Sequence, residues 1–450
     1  MAFSTSSLVF EVKRRQPELI SPIKPTPYEL KNLSDIDDQQ GLRFHIPGLL
    51  FFKKNETMKA KDPVTVIREA ISKALVPYYP LAGRLREGPN RKLVVECTGE
   101  GVMFIEASAD VSLEEFGEPL QPPFPCLENL IYDVPGYSGI LDSPLLLIQV
   151  TRLTCGGFIF ASRLNHAVSD AAGLVQFMKA IGEIARGASH LSVEPVWNRE
   201  LLSARNPPRV TCLHHKCDQM PGSEGVATPP HEEMSDRCFF FGPQEVFALR
   251  QSIPSHLSKS TSFELITACI WRCRAVALDL DPNEEMRLLC AVSVQGKLNE
   301  KLPVGYYGNS FVFSIAVSMA GKLRQNPLEY SLQLVKKAKE KVTEEYIRSF
   351  TDLMVIKGRP HVAAVPGTYL VSDVSRLGFR EVDFGWGKPV YGGPAKGDIG
   401  VVPGLATFYI HRKNNEGEEG IVAPICLPVD AMETFVVELE RMIGEPKIIA

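Results

Sequence analysis

Hydrophobic and polar positions along this chain switch between a helical and a strand period, and each switch marks an element. Asp62-Pro63 supplies a capping carboxylate and a favourable first helical residue, and Ile67, Ile71, Ala74 and Leu75 follow on one face. That pattern predicts a helix ending at Pro77. The β-rich runs 92–97 and 102–106, separated by Thr98-Gly99-Glu100-Gly101, predict a hairpin. A second pair, 145–151 and 158–164, flanks Cys155-Gly156-Gly157, and its second strand runs into Asn165-His166. Leu174, Met178, Ile181 and Ile184 then keep helical spacing until Gly187, which suits the position just past a helix end.

From about 188 to 236 the periodicity dissolves into Pro, Gly, Ser, His and charge, including Asn206-Pro207-Pro208 and Thr228-Pro229-Pro230, which predicts a crossover linker. Beyond it the pattern predicts helices from Pro243 and over 262–278, strands around 288–294 and 310–317, and a long helix opened by Asn326-Pro327. Asp430 and Glu433 predict a capping-box start for a last helix ending at Gly444. Helices and strands alternate without a repeat or a strict βαβ rhythm, so the class is mixed α/β, and 450 residues suit two domains.

Composition narrows the function. With 44% hydrophobic residues, 34 Gly and 34 Pro, the chain is globular rather than disordered or collagen-like. Lys+Arg 49 against Asp+Glu 53 gives a net charge of -4, so no global field recruits nucleic acid or an anionic membrane. The longest apolar run, near 145–150, is strand-sized and no membrane span is expected. Leu8-Val9-Phe10 is too short for a signal-peptide core, and Lys447-Ile448-Ile449-Ala450 is not a peroxisomal address, so the cytoplasm is the expected compartment. There the ten Cys read as small buried hydrophobes and the sequons at Asn32 and Asn55 as unused.

His166-Ala167-Val168-Ser169-Asp170 is the leading chemical candidate. A His at a strand end can present a mostly neutral imidazole to a cavity as a general base, and a carboxylate at the following helix start can hold the loop in shape. The alternative is a satisfied buried His. His214-His215-Lys216-Cys217-Asp218 repeats the His-to-Asp spacing inside the linker, without the flanking strand and helix. Cys212, His214, His215 and Cys217 also offer zinc-type ligands, but no distant second pair completes a site, so no metal is expected and a surface loop is the plain reading. Asp383-Phe384-Gly385 lacks every accompanying kinase segment, and Gly136-Tyr137-Ser138-Gly139 lacks the last Gly of a hydrolase elbow. Asp383-Phe384-Gly385-Trp386-Gly387 reads instead as a tight, packed turn.

With HAVSD and DFGWG together, the sequence resembles the BAHD acyltransferases, which move an acyl group from a CoA thioester to an alcohol or amine. Tyr79 to Leu85, Thr98 to Gly101, Gly305-Tyr306-Tyr307-Gly308-Asn309 and Pro424 to Pro428 extend the likeness over nearly the whole chain. Leu33 to Gln39, Gln121 to Cys126 and the tract 371–397 are similar to the benzyl alcohol benzoyltransferase and fruit-ester alcohol acyltransferase branch. The resemblance implies two chloramphenicol-acetyltransferase-like domains, 1–190 with HAVSD and 237–450 with DFGWG, joined by a crossover at 191–236 and separated by a channel. It implies His166 as general base, Asp170 beside it, Asp383 sometimes grouped with them, and no acyl-enzyme. It further implies acyl-CoA as co-substrate, a small alcohol as acceptor, no tightly bound cofactor and a monomer. Ser260-Thr261-Ser262 resemble CoA-contacting hydroxyls, with helix capping as their other reading, and Asn309 is a candidate donor to the reaction's oxyanion.

Three departures stand out. Val292-Ser293-Val294-Gln295 has Gln where relatives carry the Arg expected to pair with Asp170. A poorly paired buried carboxylate would destabilise its loop, and a weakened acyl-CoA-binding protein is therefore the second hypothesis. Asn299 to Pro303 differs from the relatives' N-P-P-L-P, and Val374 stands where many members place Trp, which implies a roomier pocket. The acyl donor and acceptor stay open: benzoyl, acetyl, anthraniloyl and tigloyl groups, and benzyl, aliphatic or alkaloid alcohols.

Overall fold

The computed structural model describes residues 8–118, 120–134, 139–214, 234–359, 367–397, 403–414, 416–444 and 448–449. The expected first helix spans Pro63–Ala74, and Asp62 Oδ2 caps it by accepting from Thr65 N at 3.0 Å. The helix Ser262–Leu278 lies where its periodicity placed it. The last helix, Val429–Ile443, has Pro428 at its N-cap and no side-chain cap, so the predicted capping box does not form. Glu433 pairs with Arg237 instead.

Two large sheets organise the molecule. The first runs in the order Val12–Arg14, Val102–Ala109, Leu146–Arg152, Phe158–Asn165, His45–Phe52, Tyr391–Pro394, with Glu18–Ile20 also on Val102–Ala109. The expected pair Leu146–Arg152 and Phe158–Asn165 is antiparallel in a register from Leu146 opposite Leu164 to Arg152 opposite Phe158. The second sheet runs Phe311–Met319, Glu285–Ser293, Thr368–Asp373, Ala406–Lys413, Glu419–Pro428, Met234–Phe241, Ile448–Ile449. Helices Pro63–Ala74 and Ala171–Ala185 pack together beside the first sheet, and Ser262–Leu278 packs against Leu328–Glu340 and Val429–Ile443 beside the second.

The hairpin expected across residues 98–101 does not form. Leu93–Glu96 joins a small separate sheet with Leu30–Asn32 and Arg84–Glu87, while Val102–Ala109 enters the first large sheet. Gly99 and Gly101 take φ of 71° and 105°, turning the chain away. A Cβ on Gly101 would lie 2.1 Å from Ile20 O, so only glycine admits the neighbouring strand so closely.

The DFGWG segment is architecture, and it crosses between the two halves of the sequence. Asp383 Oδ1 accepts from Gly385 N at 2.7 Å and Gly387 N at 2.9 Å, closing its own turn. Phe384 and Trp386 insert among Phe52, Phe158 and Phe160 in the core of the first sheet. Four residues after Gly387, Tyr391–Pro394 becomes the edge strand beside His45–Phe52.

His214, read from the sequence as part of a surface loop, is 2% exposed. Its Nε2 lies 2.9 Å from Ser349 Oγ and its ring packs on Tyr346 and Phe350, so it pins the linker to the helix Glu344–Ile356. His215 to Asp218 and most of the GYSG tetrapeptide lie outside the described residues, among which no cluster of three metal-ligating side chains occurs. No helix among them is long and apolar enough to cross a membrane.

Candidate active site

His166 leaves the end of the strand Phe158–Asn165, and Asp170 is the N-cap of the helix Ala171–Ala185. Between them the loop is held by its own backbone and by the segment 305–310. His166 N donates to Phe44 O at 2.9 Å, Ser169 Oγ to Tyr307 O at 2.5 Å, and Gln176 Nε2 to Gly305 O at 2.9 Å. A Cβ on Gly173 would lie 2.2 Å from Tyr307 O, so this contact requires a residue without a side chain. The Gly-Tyr-Tyr-Gly-Asn motif is thus a cradle for the HAVSD loop.

Asp170 is satisfied without an arginine. Oδ1 accepts from Ala172 N and Gly173 N, each at 3.0 Å, and Oδ2 accepts from Ser310 N at 3.0 Å and Ser310 Oγ at 3.2 Å. Gln295 is exposed at the edge of the adjacent cavity. The poorly paired carboxylate anticipated from Gln295 does not occur, because Ser310 supplies the donors. Burial pushes the Asp170 carboxyl up from its ordinary value, and the hydrogen bonds from Gly173 N and from Ser310, with the nearby His166 ring, oppose that shift. Burial likewise pushes the His166 imidazole below its usual range, which leaves it neutral and able to accept a proton near pH 7.

His166 and Asp170 line a cavity of about 230 Å³ between the two sheets. Ile46, Pro47 and Pro394 come from the first sheet and Ala291, Phe311, Phe313 and Phe408 from the second. The wall is strongly aromatic. The Phe44 and Phe311 rings lie 5.4 Å and 6.0 Å from the His166 ring, and Phe313 lies 5.4 Å from Phe311. Val374 also lines it, beside Leu377 and Phe379, so this part of the wall carries only an isopropyl group.

The remaining candidates fall elsewhere. Asp383 is absent from the cavity wall and is spent on its turn. Asn309 is fully buried, and its two amide protons go to Asp37 Oδ1 at 2.8 Å and His166 O at 2.7 Å, so it has none left for an oxyanion. Thr261 Oγ1 accepts from Glu264 N at 3.2 Å while Glu264 Oε2 accepts from Thr261 N at 2.9 Å. This capping box already brings a carboxylate to the helix N-terminus, held also by Lys339. Ser260 is 2% exposed, and Thr261, exposed at the surface, is the N-cap of the helix. Ser262 opens that helix.

Sequence reasoning missed Ser310 and the aromatic partners Phe44 and Phe311. Ser310 follows the Gly305 to Asn309 motif directly, and that adjacency was the available signal.

These features can be set beside known proteins. A family model described as "Transferase family" matches residues 10–442. A benzyl alcohol O-benzoyltransferase of Petunia hybrida is 63% identical over 439 residues, 98% of this chain and 95% of the relative. The chain belongs to the BAHD acyltransferase family. An alcohol acyl transferase 1 (allele GSa) of Malus domestica is 54% identical over 444 residues, again 98% of this chain and 95% of the relative. Among solved structures, vinorine synthase covers 97% of this chain and 99% of its own, with a TM-score of 0.72 at 22% identity. F. sporotrichioides TRI101, solved with coenzyme A and T-2, covers 93% of this chain and 100% of its own, with a TM-score of 0.71 at 17% identity. The likeness fixes the fold as the two-domain chloramphenicol-acetyltransferase-like architecture of this BAHD enzyme.

Proposed function

We propose that this BAHD alcohol acyltransferase transfers an aromatic acyl group, benzoyl foremost, from its co-substrate acyl-CoA to benzyl alcohol or a similarly small alcohol. The observation that carries the reading is a neutral, buried His166 set among Phe44, Phe311 and Phe313 in one cavity. The names of the Petunia and Nicotiana tabacum relatives, both benzyl alcohol O-benzoyltransferases at 63% identity, point the same way.

In this reading the acceptor hydroxyl donates to His166 and loses its proton to the ring as its oxygen attacks the thioester carbonyl. The new C–O bond forms, the tetrahedral intermediate collapses, the C–S bond breaks, and the CoA thiolate recovers the proton from the imidazolium. No covalent enzyme intermediate is required. Aromatic walls favour flat apolar groups over short alkyl chains because ring faces and edges pack at close range. Asp170 acts on the loop rather than on substrate, since all four of its hydrogen bonds go to protein. That satisfied carboxylate removes the ground for a weakened, binding-only protein.

The test is an ester-product assay of the purified chain with benzoyl-CoA or acetyl-CoA and either benzyl alcohol or short aliphatic alcohols, read by mass spectrometry. A higher kcat/KM for benzoyl-CoA supports the aromatic assignment, whereas a clear preference for acetyl-CoA overturns it.

A further inference from the structure

A second cavity, of about 110 Å³, lies along the same seam between the sheets as the His166 cavity and shares no wall residue with it. Tyr391 and Gly392 come from the edge strand of the first sheet, Ile410 and Val422 from opposed positions on two strands of the second, and Gln121 from the segment after Leu120. On the strands Tyr391–Pro394 and Ala406–Lys413, Pro394 and Phe408 of the His166 cavity stand two residues from Gly392 and Ile410, about 7 Å along each strand.

The charge on this second wall is one-sided. Arg380, His411, Arg412 and Lys413 line it, and no carboxylate does. Glu419 approaches His411 Nε2 at 3.7 Å and Lys413 Nζ at 3.5 Å from outside the wall, whereas among the described residues neither Arg380 nor Arg412 forms an ion pair. Arg380 Nη1 lies 2.9 Å from His411 Nδ1, and a guanidinium can only donate, so the imidazole accepts there and carries its proton on Nε2, towards Glu419. Three cations remain: Arg380, Arg412 and the more exposed Lys413. Arg412 Nη1 donates to Leu120 O, but Arg412 Nε is buried with no hydrogen-bond partner. Burial, with the Arg380 charge acting in the same direction and Glu118 opposing, pushes the Arg412 guanidinium down to about 10.

Two guanidinium groups without carboxylate partners repel each other across one cavity, and a buried N–H left unbonded is a further cost that a bound acceptor would remove. An oxyanion answers both needs, because its oxygens accept from guanidinium forks in pairs while its charge offsets theirs. We propose that this cavity binds a phosphate-type oxyanion, held by Arg380 and Arg412 with Lys413 beside them, outside the cavity of His166. The bound anion ties the short turn Phe379–Glu381, which carries Arg380, to the strand Ala406–Lys413, which carries Arg412. Phe379 lines the His166 cavity, so the anion steadies one of its walls from behind. The oxyanion is either free or a phosphate of a larger molecule such as CoA, and the experiment separates the two.

The test needs no turnover. The purified chain is titrated with sodium phosphate near pH 7.5 by calorimetry and followed by thermal unfolding, with chloride holding the ionic strength constant so that screening and general salt effects cancel. Wild type is expected to show one saturable site per chain and to melt about 2 °C higher at saturation. Arg380→Gln keeps a donor for His411 Nδ1 but removes the charge, and should weaken binding about tenfold or more. Lys73→Gln, which removes an exposed charge on the helix Pro63–Ala74, should match wild type. Absence of a saturable site in wild type overturns the proposal whatever the variants do, so misfolding of a variant does not remove the test. Arg380→Gln binding as wild type overturns it too, as does equal weakening in Lys73→Gln, which would mark a response to net charge alone. Phosphate binding that survives saturation with CoA identifies a free anion as the occupant, and displacement by CoA in wild type identifies a phosphate of the co-substrate; either result upholds the oxyanion chemistry of the site.

Discussion

Replacing Asp170 separates its two jobs. In Asp170→Ala the helix Ala171–Ala185 loses its cap, which costs about 1 kcal/mol. The buried Ser310 N–H loses its acceptor as well, and an orphaned buried donor costs about 1–3 kcal/mol. The Ser310 hydroxyl can rotate away, so the sum is about 3 kcal/mol. Asp170→Asn keeps an oxygen for Ala172 N and Gly173 N but turns an NH2 towards Ser310 N, setting donor against donor. Its cost is about 2 kcal/mol, taken wholly on the Ser310 side. Ser310→Ala removes only the 3.2 Å hydroxyl bond and should cost about 1 kcal/mol or less. The assay is urea unfolding of all three beside wild type, with slopes compared so that only midpoint changes are read as stability, and kcat measured on the folded protein. Stability and kcat should both fall in the order Ser310→Ala, Asp170→Asn, Asp170→Ala. An Asp170→Ala protein within about 0.5 kcal/mol of wild type would refute the reasoning, since no network in which Asp170 closes four hydrogen bonds could lose it so cheaply.

Other consequences follow from the same geometry. Gln295→Arg should leave kcat within about twofold, because Asp170 has no vacancy for a further partner; a tenfold gain in rate contradicts the Ser310 account. Val374→Trp should lower kcat/KM for benzyl alcohol much more than for ethanol by filling the wall beside Leu377 and Phe379, and an equal loss for both would speak against that placement. Asp383→Asn keeps an acceptor for Gly385 N and Gly387 N, so activity per folded molecule should match wild type, whereas loss of turnover without loss of stability would make Asp383 catalytic. Because burial lowers the His166 pKa, kcat/KM should stay flat through pH 7 and fall on the acid side with a midpoint below about 6.5; a midpoint above 7 would contradict a desolvated base. Partial burial raises the Asp62 carboxyl, but bonds from Arg152 and Thr65 outweigh this and hold it at about 2. Its folded value lies below the unfolded one, so its stability contribution is present above pH 4 and is lost as pH falls from about 4 towards 2. With solvent screening that amounts to about 1 kcal/mol, and Asp62→Asn should flatten the stability curve over that window.

Local rules read well where one element decides its own fate. Asp62-Pro63 announced a helix, the helix over 262–278 formed where its periodicity placed it, and Cys155-Gly156-Gly157 turned one strand back on the next. They failed where a distant partner decides. Nothing near residues 98–101 shows that Leu93–Glu96 has Leu30–Asn32 to pair with, or that Ile20 O would press on Gly101. His214 looked like linker because the helix that buries it begins at Glu344. The site divides in the same way. His166 and Asp170 were legible from a strand, a polar loop and a helix in sequence. Their supports, Ser310 for the carboxylate and Asn309, held by Asp37, for the His166 carbonyl, arrive from more than a hundred residues away, and hydrogen bonds of that span carry no periodic signal.

The most direct test of the central claim, that His166 is the base of an acyl-CoA:alcohol transfer, is benzyl benzoate formation from benzoyl-CoA and benzyl alcohol by wild type and His166→Ala in parallel. The account predicts ester from wild type and a loss of at least about a hundredfold in His166→Ala with an unchanged melting profile. A folded His166→Ala protein that makes ester at the wild-type rate would contradict it.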